Sequence, residues 1–329
     1  MWSVQGVGAT APVSPSDYCD NPGMPEPDRI VAVVGPTASG KSSLAVEVAR
    51  KLGHAEIINA DSMQLYRGMD IGTAKPSAAE RGGIVHHLFD VLDVTQTASV
   101  ADFQTAARAA VADCHARGVT PVMVGGSALY VRAVLDRLEF PGTDPAVRAR
   151  WAAELADRGP AALHAELARR DPAAAAQILP SNDRRVVRAL EVIEVTGEPF
   201  AATMPPHESI YGDVTMLGLD VPRDVLDVRL TERVDRMWAD GFVDEVRGLL
   251  PLGIEDGLTA SRALGYQQVL AFLRGEMTED EARADTVAGT RKFARRQDRD
   301  FRKDPRIHWL KASSDDVVAQ ALTQMSAHM

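Results

Sequence analysis

The segment Gly35-Pro36-Thr37-Ala38-Ser39-Gly40-Lys41-Ser42 constrains this chain more than any other. It matches G-x-x-x-x-G-K-[ST] in full and lies between two segments of different periodicity. Before it runs Ile30-Val31-Ala32-Val33-Val34, short, continuous and β-branched, as in a strand buried on both faces of a parallel sheet. After it an amphipathic stretch over 42–52 stops at Gly53 and reads as a helix. Strand, glycine-rich turn and helix start together make a phosphate cradle. The glycines let the backbone curl, successive N–H groups face inward, and the helix N-terminus adds partial positive charge. Lys41 adds a mobile full charge, and the Ser42 hydroxyl is placed to ligate Mg2+. The motif belongs to the nucleotide-binding, ATP-binding class, but it specifies a phosphate chain rather than a reaction.

The alternation continues. A second strand is expected over 56–60 and a helix over 100–117, behind Ser99 with Asp102 three positions on. A third strand at Pro121-Val122-Met123-Val124 runs into Gly125-Gly126. This order predicts a doubly wound α/β layer. From 144 to 197 the chain is rich in Ala, Arg, Glu and Leu and reads as short helices broken at Gly159-Pro160, Pro172 and Pro180. Strand texture returns over 215–221, long helices are expected at 224–250, 261–274 and 279–302, and a last strand at 306–310. The expected fold is therefore a P-loop NTPase-like parallel sheet core over 29–141 and 205–329, ending in C-terminal helices, with a helical insertion over 142–204. Residues 1–28, with five prolines and no apolar periodicity, read as a disordered tail.

Composition removes several classes. Of 329 residues, 45% are apolar and 25% charged, so the chain as a whole is no disordered polymer. Two cysteines, Cys19 and Cys114, make neither a disulfide scaffold nor a cysteine-built zinc site, and fit a reducing cytoplasm. No apolar run reaches the roughly 18 residues of a membrane span. The N-terminus has no basic region followed by an apolar one, so export is not expected. The net charge is −10, which leaves any nucleic-acid contact to local basic patches.

In a parallel sheet the strand C-termini face the ligand crevice, which sets Asp61, after Ile57-Ile58-Asn59-Ala60, beside the phosphates. There it is a base toward an acceptor, a magnesium partner through water, or the cap of a following turn through Ser62. The third strand ends in Gly125-Gly126-Ser127, with no carboxylate to hold magnesium as in energy-coupling NTPases. Ser127 also reads as the N-cap of a helix starting near Leu129. His86 and His87 point to opposite sides of an extended segment, with no cysteine or third ligand nearby in sequence, and read as structural. On these residues alone a small-molecule kinase and a non-catalytic RNA-binding protein stay open beside a transferase.

The string from Asn59 to Pro76 (NADSMQLYRGMDIGTAKP) resembles the tRNA dimethylallyltransferase family. So do Gly35 to Ser42, His86 to Asp90, Val124 to Tyr130, Arg188 to Val192, Ala263 to Tyr266, and Ala294 to Gln297. The likeness runs in order over 29–310. It implies transfer of the dimethylallyl group of dimethylallyl diphosphate to N6 of the adenine just 3′ of the anticodon in tRNA. By that resemblance Gly35, Pro36, Thr37, Ala38, Ser39, Gly40, Lys41 and Ser42 hold the diphosphate, Ser42 with Mg2+. Asp61 takes the N6 proton, and Lys41 and Ser127 assist. Asp61, Ser62, Met63, Gln64 and Ser127 meet the flipped base, and Arg148, Arg184, Arg185 and Arg188 in the insertion meet the RNA. Ser127 stands where relatives carry Thr and keeps the hydroxyl; Gln267 and Asp300 stand for a usual Lys and Trp. A second basic patch, eight Lys and Arg against three Asp over 291–306, adds to the RNA surface. A monomer is expected.

Overall fold

The computed structural model describes residues 29–200 and 205–326; the tail expected over 1–28 lies outside the described residues. The chain forms two units, one running through Asp136 and resuming at Ser209, the other Arg137–Glu208. The bounds read from sequence for the insertion, 142 and 204, fall inside the second.

The first unit is built on six parallel strands, β1 (Arg29–Val34), β2 (Ala55–Asn59), β3 (His86–His87), β4 (Thr120–Gly125), β5 (Asp213–Asp220) and β6 (Ile307–Lys311), in spatial order β3-β2-β4-β1-β5-β6. Why β1 is apolar throughout follows from its neighbours. Ile30, Ala32 and Val34 enter one core with Phe103, Met123 and Val131; Val31 and Val33 enter another with Leu44, Val48 and Met325. Each face is covered by helices: α1 (Lys41–Leu52) and α11 (Val317–Ser326) pack on the second, α2 (Val100–Ala116) and α3 (Ala128–Leu135) on the first. Ser99 caps α2 by accepting the Asp102 N–H, as the sequence pattern requires.

The C-terminal helices depart from expectation in two places. The stretch 224–250 is not one helix. α7 (Arg223–Ala239) ends before Gly241, whose φ of 93° no helical residue adopts, and α8 (Phe242–Leu249) begins there. The stretch 261–274 starts as a single tight turn, and α9 covers only Tyr266–Leu273. α10 (Glu279–Phe301) opens on the expected capping box of Thr278 and Glu281.

The second unit packs α4 (Pro145–Arg170), bent at Gly159, with α5 (Pro172–Gln177) and α6 (Asp183–Thr196) around Trp151, Leu163, Leu167 and Leu190. At its centre lies a fully buried carboxylate, Glu191. Arg148 from α4 (2.7 Å) and Arg188 from α6 (2.9 Å) both pair with it, and the Asp144 N–H donates to it at 3.1 Å. Arg188 further donates to the Pro141 carbonyl at 2.6 Å. Two arginines expected to meet RNA are thus holding this unit together. Arg184 and Arg185 are exposed.

Replacing Arg148 and Arg188 together by Ala strands the Glu191 charge, which costs about 3–5 kcal/mol when a buried pair is broken. Hydrogen-exchange protection in α4 and α6 should collapse in that variant; unchanged protection would contradict the structural role.

Candidate functional site

Register sets the site. Val34 lies opposite Gly125 and Asn59 opposite Val124, so the loops after β1, β2 and β4 leave the sheet from one level edge. This is the crevice that a parallel sheet offers to ligands.

The first loop is the cradle. Gly35 and Gly40 take φ of 144° and 97°, values closed to side-chain-bearing residues at low cost, and the turn they make delivers the chain into α1 with no side-chain cap. The first-turn N–H groups of α1 therefore face the crevice without an internal acceptor from a cap. Lys41 Nζ donates to the Pro36 carbonyl at 3.4 Å. Burial first, then the nearby Arg233 cation, lower the Lys41 ammonium to about 8, while Asp61 opposes them. Ser42 is exposed on the first turn of α1.

The second loop holds Asp61. Asn59 is its jig: Asn59 Oδ1 accepts the Asp61 N–H at 2.9 Å, and the Asn59 amide donates to the carbonyls of Asp61 (3.1 Å) and Leu88 (3.0 Å). One Asp61 carboxylate oxygen accepts the Met63 N–H at 2.9 Å. The turn-capping role weighed from sequence is present, through Met63 rather than Ser62. It occupies Oδ1 alone, and Asp61 also borders a cavity of about 280 Å³ together with Thr37, Ser62, Met63 and Arg233. Apolar side chains of Val234, Met237 and Leu264 also line it. Gln64 stands outside that lining, its amide donating to the carbonyls of Thr73 (3.1 Å) and Ala74 (3.2 Å).

The third loop is Gly125-Gly126-Ser127. Ser127 Oγ accepts the Tyr130 N–H at 3.5 Å and caps α3, which starts at Ala128. Lys41, Ser42 and Ser127 do not border the cavity. The Tyr130 hydroxyl bonds to Ser62 and is pushed up to about 12, chiefly by burial. A Cβ at Gly126 would sit 2.4 Å from the Gln297 amide nitrogen, so a side chain there would displace the Gln297 amide, which accepts the Thr37 N–H.

Two site residues escaped the sequence reading. Gln297, buried on α10, accepts the Thr37 N–H at 2.9 Å and so ties the cradle to α10. Arg233, on α7, borders the cavity and donates to the Thr73 carbonyl at 3.2 Å. Burial lowers its pKa, and Asp61 offsets this. The signal was available for Arg233: it stands between Leu230 and Met237 on the face that α7 buries, an odd place for a cation.

The histidine reading needs a correction. The sheet brings His87 beside Glu56 (2.6 Å) and near Cys114 (4.0 Å), although no cysteine is close in sequence. These three ligand-type groups stand within 4.8 Å of one another. Arg117 grips both Glu56 oxygens at 2.8 and 2.7 Å and holds the carboxyl down to about 2, while burial pushes the Cys114 thiol up to about 12. A neutral thiol and a carboxylate already paired make this a structural ion-pair cluster.

Comparison with known proteins gives one consistent result. Residues 64–304 match the family model described as IPP transferase. A tRNA dimethylallyltransferase of Thermobifida fusca is 61% identical over 303 residues, 91% of this chain and 95% of that one. The full-length tRNA isopentenylpyrophosphate transferase of Bacillus halodurans superposes with a TM-score of 0.67 at 38% identity, covering 92% of this chain and 98% of that one. A eukaryotic dimethylallyltransferase acting on tRNA superposes with a TM-score of 0.75 at 27% identity, over 90% and 77%. Among the described residues no helix is long and apolar enough to cross a membrane.

With Lys41 at about 8, the cradle loses a cation as pH rises through that value. Above neutral pH, where the ligand's own phosphate is fully ionised, affinity for an alkyl diphosphate should fall as pH rises through that region, by up to about tenfold per unit for one linked proton. A calorimetric profile flat to pH 9.5 would show that Lys41 does not hold the anion.

Proposed function

This chain belongs to the IPP transferase family, and on that premise we propose that it transfers the dimethylallyl group of dimethylallyl diphosphate to N6 of the adenine immediately 3′ of the anticodon in tRNA, releasing diphosphate. The observation that carries this reading is the meeting of three features at one edge. A phosphate cradle, a fixed carboxylate and a cavity partly lined by apolar side chains suit a diphosphate ester of a small hydrocarbon and an amine acceptor.

The chemistry follows from charge. As the allylic C–O bond breaks, its electron pair goes to the diphosphate oxygen. The N6 lone pair forms the new N–C bond, and the N6 proton goes to a base. Lys41, the N–H groups of the cradle and Arg233 stabilise the departing anion more strongly than the intact ester, which is the condition for lowering a barrier. Asp61 is the base. Its Oδ1 is anchored by Met63, and the carboxylate borders the space that the adenine must enter. Removing the base from its stack costs a few kcal/mol, offset by contacts in the cavity. The donors near the cradle are hard oxygens, the exposed Ser42 hydroxyl first, which fits Mg2+ that keeps its waters and takes phosphate oxygens. When bound, the ion supplies charge neutralisation for the leaving group. Exposed cations available to RNA are Arg184 and Arg185 in the second unit and, separately, Lys292, Arg295 and Arg299 in the first. The buried free thiol of Cys114 fits action on tRNA in a reducing cytoplasm.

A kinase shares the cradle, so the decisive experiment follows the label. Dimethylallyl diphosphate carrying a labelled prenyl carbon should mark unmodified tRNA; transfer of only the ATP γ-phosphate, with RNA unmarked, would sink the proposal. Asp61→Asn keeps the acceptor for Met63 N–H but removes the base. We expect kcat to fall about 10²–10⁴-fold with little change in tRNA affinity; a pure KM effect would reassign the base. Arg184→Ala should reduce the salt slope of tRNA binding by about 1; an unaltered slope would place the RNA elsewhere.

A further inference from the structure

The loop that follows the Asp61 segment is held from below by one side chain. Glu245, on α8, directs its carboxylate into three consecutive backbone N–H groups. Oε2 accepts from Asp70 (3.0 Å) and Ile71 (2.6 Å), and Oε1 accepts from Gly72 (3.2 Å). Oε1 also accepts the Tyr266 hydroxyl at 2.5 Å. Converging N–H groups of this kind form an anion-binding nest. Here the anion is supplied by the protein itself, and charge-assisted bonds of this type are the stronger ones.

What the nest controls is the next residue. The Thr73 carbonyl, one position beyond the last anchored N–H, accepts from Arg233 at 3.2 Å and from Gln64 at 3.1 Å. Gly72, Thr73, Arg233 and Asp61 all border the same cavity. On its other side the loop is tied by Lys75, whose buried ammonium donates to Asp70 and Asp90, both at 2.6 Å, and to the Tyr66 carbonyl at 2.8 Å. Between these two ties, residues 70–73 have little freedom, and the Thr73 carbonyl is presented at a fixed height. The Arg233 guanidinium, which feels the Asp61 charge, is bonded to that carbonyl.

We propose that Glu245 is a positioning residue for the transfer reaction: by gripping the N–H groups of Asp70, Ile71 and Gly72 it fixes the Thr73 carbonyl, which in turn aims Arg233 at the cavity that Asp61 borders. The inference rests on the reaction assigned above and extends it to a residue that touches neither substrate. A displacement of about 1 Å at the reacting centre is worth about 10²-fold in rate. Glu245→Gln replaces one acceptor oxygen by an NH2 group that meets a donor, so the grip is broken without leaving a hole.

The test is a double-mutant cycle on full-length protein, read by single-turnover transfer of labelled dimethylallyl to tRNA, with melting recorded for each variant. Glu245→Gln should lower the transfer rate about 10–100-fold while tRNA affinity and melting stay near wild type. In an Arg233→Ala background the same change should cost less than about twofold, because the group it aims is gone. A wild-type rate in Glu245→Gln, or an undiminished loss in the Arg233→Ala background, overturns the proposal; a merely structural role gives the second of these. Should Glu245→Gln melt early, hydrogen exchange in the wild-type protein decides: slow exchange at the Asp70, Ile71 and Gly72 amides is expected, and loop-like fast exchange overturns the grip. Failure of wild-type protein to label tRNA at all would instead refute the reaction, so the two failures are distinct.

Discussion

Arg233 stands near enough to Lys41 to disfavour its charge, and burial disfavours the charge of both. Asp61 is the counter-charge that both share. Two cations in such a place are poorly solvated and poorly matched by one carboxylate. In the proposed reaction an arriving diphosphate relieves that mismatch, and a diphosphate gaining charge as its ester bond breaks relieves it further. The interaction is strongest where catalysis needs it, because low local dielectric magnifies differences in charge between ground and transition state.

Holding those charges together is the work of the surrounding fold. The level ends of β1, β2 and β4 deliver the cradle, Asp61 and Ser127 to one edge through short loops. The remaining parts come from far along the chain. Gln297 reaches back 260 residues to take the Thr37 N–H. Arg233 reaches back 160 to the Thr73 carbonyl, and Glu245 173 to the Gly72 N–H. The C-terminal helices are thus a second half of the site as well as a cover for the sheet. Asn59 shows the same economy locally, spending its whole amide on the backbone of Asp61 and Leu88.

Much of this was legible in the sequence, and what was missed has a common cause. The apolar run at 30–34, the P-loop, Ser99 before α2 and the Thr278–Glu281 box are local patterns, and local physics decides them. Periodicity sets Arg233 on the buried face of α7, but it reports which face is buried and not which distant loop a polar group serves, so the partners of Arg233 and Gln297 are not legible. For the same reason the structural role of Arg148 and Arg188 was not legible, although a carboxylate at 191 on the buried face of α6 requires cations nearby. Gly241 was passed over within a helical pattern that continued on both sides, and its positive φ divides α7 from α8. Cys114 and His87 meet only because the sheet order sets β3 beside β2, which no spacing reveals.

The central claim is that the cradle grips a leaving group and that the bond broken lies between carbon and oxygen. Dimethylallyl diphosphate carrying ¹⁸O at the bridging position tests it directly, with mass analysis of both products after turnover with tRNA. All of the heavy oxygen is expected in the released diphosphate, with the prenylated nucleoside free of it. Heavy oxygen left on the prenyl carbon, or a phosphoryl group found on the RNA, would contradict the account.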